Sequence, residues 1–355
     1  MTQKPVTIAG REIGPNSPPY IVAELSANHN GDINRAFAIM EAARDAGAHA
    51  VKLQTYTADT ITIDHDGPGF VIEGGLWDGR RLHELYQEAA TPWDWHHALF
   101  EKGRELGITV FSSPFDETAI ELLESLEAPA YKIASFELID LPLIRRAAMT
   151  GKPLVMSTGM ANLAEIEEAV STARDAGCDE LILLHCVSSY PAPADQSNLR
   201  TIADLAMRFD VMTGLSDHTL GTAVSIAATA LGAPFIEKHF TLRRSDGGPD
   251  SAFSLEPAEL EQLVEGTLTA WQALGGVNYE RTESERGNVQ FRRSLYAVAD
   301  IREGEILTPR NTRSIRPGFG LPPKHLPEIL GKRATRDIPR GTPLAFSMIA
   351  GGNGS

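Results

Sequence analysis

Eight short apolar runs, rich in β-branched residues and separated by helical stretches, constrain this fold more than any other feature of the chain. They are Tyr20–Leu25, Ala50–Gln54, Thr109–Ser112, Tyr131–Ser135, Pro153–Thr158, Leu181–Cys186, Val211–Leu215 and Phe235–Phe240. Such nearly continuous apolar runs fit parallel strands buried on both faces. Between them, Arg35–Ala46 and Leu163–Ala176 carry alanine and leucine on one stripe and charges on the other, as helices packed on a sheet do. Asn34, Thr91 and Asn162 read as helix starts, and Gly47, Gly107 and Gly177 as stops. Eight strand–helix units over about 250 residues predict an α/β fold of the TIM (β/α)8 barrel class. A doubly wound open sheet is the alternative, though it rarely has so many regular units.

The segment Val6–Ile13 reads as a short hairpin placed to cap the barrel floor. A break follows near Leu274–Tyr279, so the barrel domain is expected to occupy 1–280, with a polar linker over 281–291. A turn-rich, β-rich domain then fills 292–355, near the lower size limit for independent folding, and the tail Gly351–Ser355 reads as flexible. The 355 residues suit one large domain and one small one. The residues from Met1 to Gly10 lack the basic-then-apolar pattern of a secretory signal, and no apolar run is long enough for a bilayer. Two cysteines, Cys178 and Cys186, make no disulfide framework, so a reducing cytoplasm is expected. A formal net charge of −15 argues against nucleic acid and anionic membranes as partners. An anionic substrate would need a local cluster of cations against that global field.

In a barrel of this class the active site lies at the C-terminal strand ends, and every run here delivers polar groups there. Lys52 and Lys132 interrupt apolar strands, and an unpaired buried ammonium is costly. With Ser135, Ser157 and Ser216 nearby they would make a phosphate cradle. The alternative is that each lysine pairs with a buried carboxylate such as Glu24 or Glu137. His218 and His239 end adjacent strands and suit a divalent metal such as manganese, with magnesium or cobalt as other occupants. Both side chains are expected to point into a solvent-filled mouth. His29 and His185 are weaker candidates, His96 and His97 read as helix surface, and Cys186 reads as a buried strand residue rather than a nucleophile.

The ordered set Ala23-Glu24-Leu25-Ser26-Ala27-Asn28-His29-Asn30-Gly31, Lys52-Leu53-Gln54-Thr55-Tyr56, Tyr131-Lys132-Ile133-Ala134-Ser135, Ser157-Thr158-Gly159-Met160, Gly214-Leu215-Ser216-Asp217-His218 and Glu237-Lys238-His239-Phe240 resembles the sialic acid synthase family over nearly the whole chain. Arg293-Ser294-Leu295-Tyr296 and Arg316-Pro317-Gly318 resemble that family's antifreeze-like SAF domain. The resemblance implies condensation of phosphoenolpyruvate with an open-chain, N-acetylated amino sugar to a nine-carbon 2-keto acid. It implies that Lys52, Lys132, Ser113, Ser135, Ser157, Ser188 and Ser216 hold phosphoenolpyruvate and that His218 and His239 bind the metal. Glu24 would act as a base or hold a metal-bound water, and Gln54, Glu137, Tyr190 and Asp250 would face the sugar. Ser113 and Ser188 stand where many relatives have Thr and Asn; both keep a small polar group.

Within the family, Phe70-Val71-Ile72-Glu73-Gly74-Gly75-Leu76-Trp77-Asp78, Arg81-Leu82-His83-Glu84-Leu85-Tyr86 and Ser135-Phe136-Glu137 look like pseudaminic acid synthases. That implies 2,4-diacetamido-2,4,6-trideoxy-altrose as the sugar, with Trp77 or Phe136 as an apolar wall for its methyl end. N-acetylneuraminate or legionaminate synthase is the nearest alternative, a metal-dependent aldolase a more distant one, and a non-catalytic sugar-binding SAF protein the alternative of another class. The resemblance further implies a domain-swapped homodimer in which Arg316 reaches the neighbouring barrel mouth.

Overall fold

The computed structural model describes residues 3–351. The chain divides into two compact units, Met1–Gly275 and Gly276–Ser355. In the first, eight parallel strands close into a barrel: β3 (Tyr20–Glu24), β4 (Ala50–Thr55), β5 (Thr109–Pro114), β6 (Tyr131–Ile133), β7 (Leu154–Ser157), β8 (Leu181–Cys186), β9 (Met212–Asp217) and β10 (Phe235–His239). Sequential strands are neighbours, and β10 pairs with β3 to close the ring. The open sheet is thereby excluded. Observed strand limits fall within a few residues of those read from the sequence, because each run is bounded by turn residues and helix caps.

Those caps are visible. Asn162 accepts from the Glu165 N–H at the head of the helix Leu163–Asp175, while the Glu165 carboxylate reaches back to the Asn162 N–H. The helix expected to start at Asn34 starts earlier, because the Asp32 carboxylate caps Ile33–Asp45. Thr91 caps no helix; the next one runs Trp95–Leu106 after the N-cap residue Asp94.

Side-chain alternation sorts the strands into two packing layers. Ile21, Ala23, Val51, Leu53, Tyr131, Ile133, Leu154 and Met156 face the surrounding helices. Tyr20, Val22, Ala50, Phe111, Ala130, Val155, Ile182, Leu184, Met212 and Phe235 fill the barrel interior. The strands β1 (Val6–Ile8) and β2 (Arg11–Ile13) form an antiparallel hairpin whose Val6, Ile8 and Ile13 join that interior cluster, so the hairpin plugs the floor. With the lower interior filled by hydrocarbon, polar residues one pleat further along each strand are left to meet at the other end.

The second unit holds the antiparallel pair β11 (Ser294–Ala297) and β12 (Thr312–Ile315), extended by single bridges such as Ile301–Ile338 and Ala334–Ile349. Its own core contains Leu295, Ile301, Leu307, Ile338, Leu344 and Ile349. The stretch expected to be linker carries a short helix, Glu283–Arg286, capped reciprocally by Thr282 and Glu285, and a 3-10 turn over Gly287–Phe291. Most of the tail read as flexible, 352–355, lies outside the described residues. No helix among the described residues is long and apolar enough to cross a membrane.

Candidate active site

The polar layer sits directly above the hydrocarbon plug. Counting by twos along each strand brings Glu24, Lys52, Gln54, Ser113, Lys132, Ser157, Cys186, Ser216, Glu237 and His239 to the inner face, with His218 just beyond β9. At its centre is a four-charge network. Lys52 Nζ lies 2.5 Å from Glu24 Oε2 and 3.8 Å from Glu237 Oε1, and Lys132 Nζ lies 3.8 Å from the same Glu237 oxygen. Gln54 Nε2 donates to Glu24 Oε1 at 3.2 Å, and the Ser216 hydroxyl donates to Glu237 Oε1 at 3.1 Å. Glu24 is thus the carboxylate partner expected for Lys52. Lys132 pairs instead with Glu237, a residue that sequence reasoning missed, while Glu137 forms no ion pair with either lysine.

Burial sets the charge states. It pushes the Glu24 carboxyl up to about 7, against the opposing pull of Lys52 and with help from Glu237. Glu237 is equally buried, but Lys132 and Lys52 overcome that cost and hold it below the ordinary carboxylate range. Two neighbouring carboxyls are therefore pushed in opposite directions, Glu24 up to about neutrality and Glu237 below the ordinary carboxylate range, the arrangement that separates a proton carrier from a permanent anion. Burial and the repulsion of Lys52 lower the Lys132 ammonium although Glu237 attracts it. An additional anion would relieve that strain.

The serines converge with them. The Ser157 hydroxyl is buried and has no hydrogen-bond partner. The Gly159 N–H donates to Ser135 Oγ at 3.2 Å, and a Cβ at Gly159 would lie 2.2 Å from Ser188 Oγ and 2.7 Å from Ser135 Oγ. Only a glycine leaves these two hydroxyls room beside that backbone. Ser113 is the acceptor for Lys52 Nζ at 3.3 Å. Cationic nitrogens, free hydroxyls and a backbone N–H make an oxyanion cradle.

His218 and His239 have ring centroids 5.4 Å apart. Only 7% of His218 and 9% of His239 is exposed, because Tyr190 and Phe253 pack on them; His239 lines the cavity that opens above this layer, as expected of a residue in the barrel mouth, whereas His218 does not reach it. His218 Nδ1 lies 3.0 Å from the Val187 carbonyl oxygen, an orienting bond that leaves Nε2 for a ligand. His239 Nδ1 is buried without a hydrogen-bond partner, 3.8 Å from Asp250 Oδ2. Burial and the neighbouring cations hold His239 far below its usual range, hence neutral. A neutral, orphaned imidazole beside a second oriented one fits a divalent metal. Among the described residues no cluster of three or more His, Cys, Asp or Glu side chains is shaped for a metal, so other ligands would have to be water or substrate. Cys186, expected only as packing, lies 3.7 Å from His218 Nδ1. Burial raises its thiol, but His218 outweighs that and brings it to about 7.

Above this layer opens a cavity of about 520 Å³. Gln54, Glu137, Tyr190 and Asp250, the residues expected to face a sugar, all line it, together with Ser26, which donates to Asp250 Oδ2. Burial raises Glu137 to about 7, and its Oε2 has no partner. Trp77 and Phe136 line the same cavity. The Val71–Arg81 bridge closes the loop that carries Trp77, and Trp77 Nε1 donates to the Pro249 carbonyl at 3.0 Å. Of the remaining histidines, His185 Nε2 lies 2.6 Å from the Ser197 carbonyl oxygen and His29 Nδ1 accepts from the Gly31 N–H, both away from the cavity. His96 is not helix surface; it is fully buried, 2.8 Å from the Thr55 hydroxyl. Arg316 belongs to the second unit, where it follows β12 and is exposed.

Comparison with known proteins gives this geometry a family. The profile of the NeuB family matches residues 39–279, and that of the SAF domain matches 292–350. The chain belongs to the NeuB family. Among its NeuB relatives, the pseudaminic acid synthase of Helicobacter pylori is 46% identical over 336 residues, covering 94% of this chain and 98% of that one. The pseudaminic acid synthase of Campylobacter jejuni is 44% identical, covering 92% and 96%. The crystal structure of the N-acetylneuraminic acid synthetase of Leptospira borgpetersenii, in complex with citrate, superposes with a TM-score of 0.72 at 33% identity, covering 81% of this chain and 95% of that one.

Proposed function

We propose that this NeuB protein is a pseudaminic acid synthase, a transferase that condenses phosphoenolpyruvate with 2,4-diacetamido-2,4,6-trideoxy-altrose and water to pseudaminic acid and phosphate. The observation that carries the chemistry is the buried Glu24–Lys52–Glu237–Lys132 network beside the free Ser157 hydroxyl and the Ser135–Gly159–Ser188 cradle. An isolated sugar-binding module needs no such site, and a plain aldolase needs no phosphate cradle. The choice of sugar rests on identities of 46% and 44% to pseudaminic acid synthases, against 33% to the neuraminic acid enzyme.

The residues divide the work as follows. Lys52, Lys132, Ser113, Ser135, Ser157, Ser188 and Ser216 bind the phosphate and carboxylate of phosphoenolpyruvate. Gln54, Glu137, Tyr190 and Asp250 orient the open-chain sugar so that its aldehyde carbon faces C3 of phosphoenolpyruvate. A divalent cation held by His218 and His239, manganese first among candidates, would supply Lewis-acid polarisation of the aldehyde oxygen. As the C3–C1 bond forms, positive charge develops at C2, and the Glu237 carboxylate stands ready to stabilise it. Water adds at C2, giving one proton to the ionised Glu24 carboxylate, whose value of about 7 suits it to take that proton and return it to the oxygen of the former aldehyde. The C2–O bond to phosphate then breaks, and the C2 hydroxyl proton leaves with the phosphate, so that C2 becomes the keto group.

The exposed Arg316 and the family resemblance support a homodimer in which Arg316 serves the partner's barrel. Mixing Arg316→Ala with a Lys132→Met variant should restore activity under subunit exchange; no recovery, with exchange confirmed by mass, would refute the swap. A cytoplasmic enzyme accords with two free buried cysteines. The reading as a whole is tested by phosphate release: it must require both phosphoenolpyruvate and an amino sugar. Release from phosphoenolpyruvate alone, or none with any amino sugar, would overturn it.

A further inference from the structure

Two aromatic groups stand at the cavity. Tyr190 and Phe253 pack on the two histidines and Trp77 packs on Tyr190, with Trp77 and Tyr190 centroids 5.7 Å apart and Tyr190 and His218 centroids 4.6 Å apart. A separate group forms where β4 and β5 end: the Tyr56 ring meets Phe115 edge-on at 5.0 Å and Tyr86 at 5.9 Å. Leu85 and Ile61, on the helices Leu82–Ala89 and Ala58–Ile61, complete this second wall, and those helices are tied by a 2.9 Å contact between His83 Nε2 and the Asp59 carboxylate. Tyr56 and Leu85 are buried, and burial raises the Tyr56 phenol far above its usual range, so the group presents an uncharged face.

We infer that the Tyr56–Leu85–Tyr86–Phe115 box is the specificity pocket for the sugar's C6 methyl group. The inference rests on the synthase reading, which puts the aldehyde end of an open-chain sugar at the histidines and so its C6 end away from them. Neither Trp77 nor Phe136 serves that end. Trp77 is committed to the Pro249 carbonyl and to Tyr190 in the histidine group, and Phe136 is 58% exposed, so a methyl group resting on it would stay largely in water. The box sets half-buried Tyr86 and Phe115 around buried Tyr56 and Leu85 with its rings packed edge to face, so a methyl group entering it loses water without reorganising the wall. A 6-hydroxyl group would find no hydrogen bond on Leu85, Ile61 or Phe115, leaving only the Tyr56 and Tyr86 phenols to bond it.

The test compares kcat/KM for 2,4-diacetamido-2,4,6-trideoxy-altrose with that for its 6-hydroxy counterpart. Rejection of an added hydroxyl by an apolar pocket is worth about 10- to 100-fold, and that preference is expected of the natural chain. Leu85→Asn should shrink the ratio several-fold, mainly through KM for the sugar, with the apparent affinity for phosphoenolpyruvate unchanged. Ile61→Asn, at a half-buried site less critical for folding, should shrink it in the same direction. Equal use of both sugars by the natural chain, or an unchanged ratio in whichever variants fold, would overturn the box alone. Absence of phosphate release with either sugar would instead remove the synthase reading, and the box with it.

Discussion

Replacing Lys132 by methionine separates a phosphate cradle from a merely structural ion network. The ammonium lies 3.8 Å from Glu237 Oε1, an attraction of about 4 kcal/mol at an effective dielectric near 20. Removing one partner of a buried pair ordinarily costs about 3–5 kcal/mol. Here Glu237 keeps Lys52 at 3.8 Å and the Ser216 hydroxyl at 3.1 Å, and methionine avoids the desolvation of a lysine, so the stability loss should stay below that range. Binding has no such compensation. One charge-assisted contact to phosphoenolpyruvate is worth about 1.5–3 kcal/mol, equivalent to about 10- to 150-fold in apparent affinity. Initial rates of phosphate release against phosphoenolpyruvate concentration, paired with melting curves with and without it, read both quantities. The variant should fold, lose affinity in that range, and lose most of the stabilisation that phosphoenolpyruvate gives the natural protein. Unchanged affinity with a large fall in melting temperature would refute the cradle and leave Lys132 a structural ion.

Gly159→Ala should lower phosphoenolpyruvate affinity at least 10-fold with little change in melting temperature, since its Cβ would push into Ser188 Oγ and Ser135 Oγ; normal kinetics would contradict the convergence of those hydroxyls. His218→Ala and His239→Ala should each abolish turnover, and exhaustive chelation should do the same to the natural protein; both variants should also melt lower, because these rings are packed against Tyr190 and Phe253, and full activity after chelation would remove the metal role. Glu137 has a folded value near 7, above its ordinary 4.5, so its contribution to stability is full below 4.5 and is lost as pH rises through about 7. The melting temperature of the natural protein should therefore fall relative to Glu137→Gln between pH 5 and 8, whereas parallel curves would refute the assignment.

The barrel and most of the inner ring are legible in the sequence because two periodicities coincide. The alternation that turns Val51, Leu53, Tyr131 and Ile133 to the helices turns Lys52 and Lys132 to the interior, and the same period of two places Ser157 and Ser216 there as well. Glu237 was missed although the same alternation selects it: in Glu237-Lys238-His239 the outer two residues turn inward, while Lys238 turns outward to pair with Asp217 at 2.7 Å. Adjacent histidines concealed His96, since helical spacing buries one and exposes the other. The Tyr56–Tyr86–Phe115 box could not be read at all, because its members come from three separate segments that only barrel closure brings together. The degree of burial at His218 and His239 was equally invisible, since it depends on Phe253 returning from beyond β10.

The central claim is a phosphoenolpyruvate-dependent synthase selective for the 6-deoxy diacetamido sugar. The most direct measurement is a single reaction holding phosphoenolpyruvate, manganese and equal amounts of 2,4-diacetamido-2,4,6-trideoxy-altrose and N-acetylmannosamine, with products resolved by mass. Pseudaminic acid should accumulate in step with inorganic phosphate, at least 10-fold ahead of N-acetylneuraminic acid. Comparable amounts of the two acids, or N-acetylneuraminic acid in excess, would contradict the account.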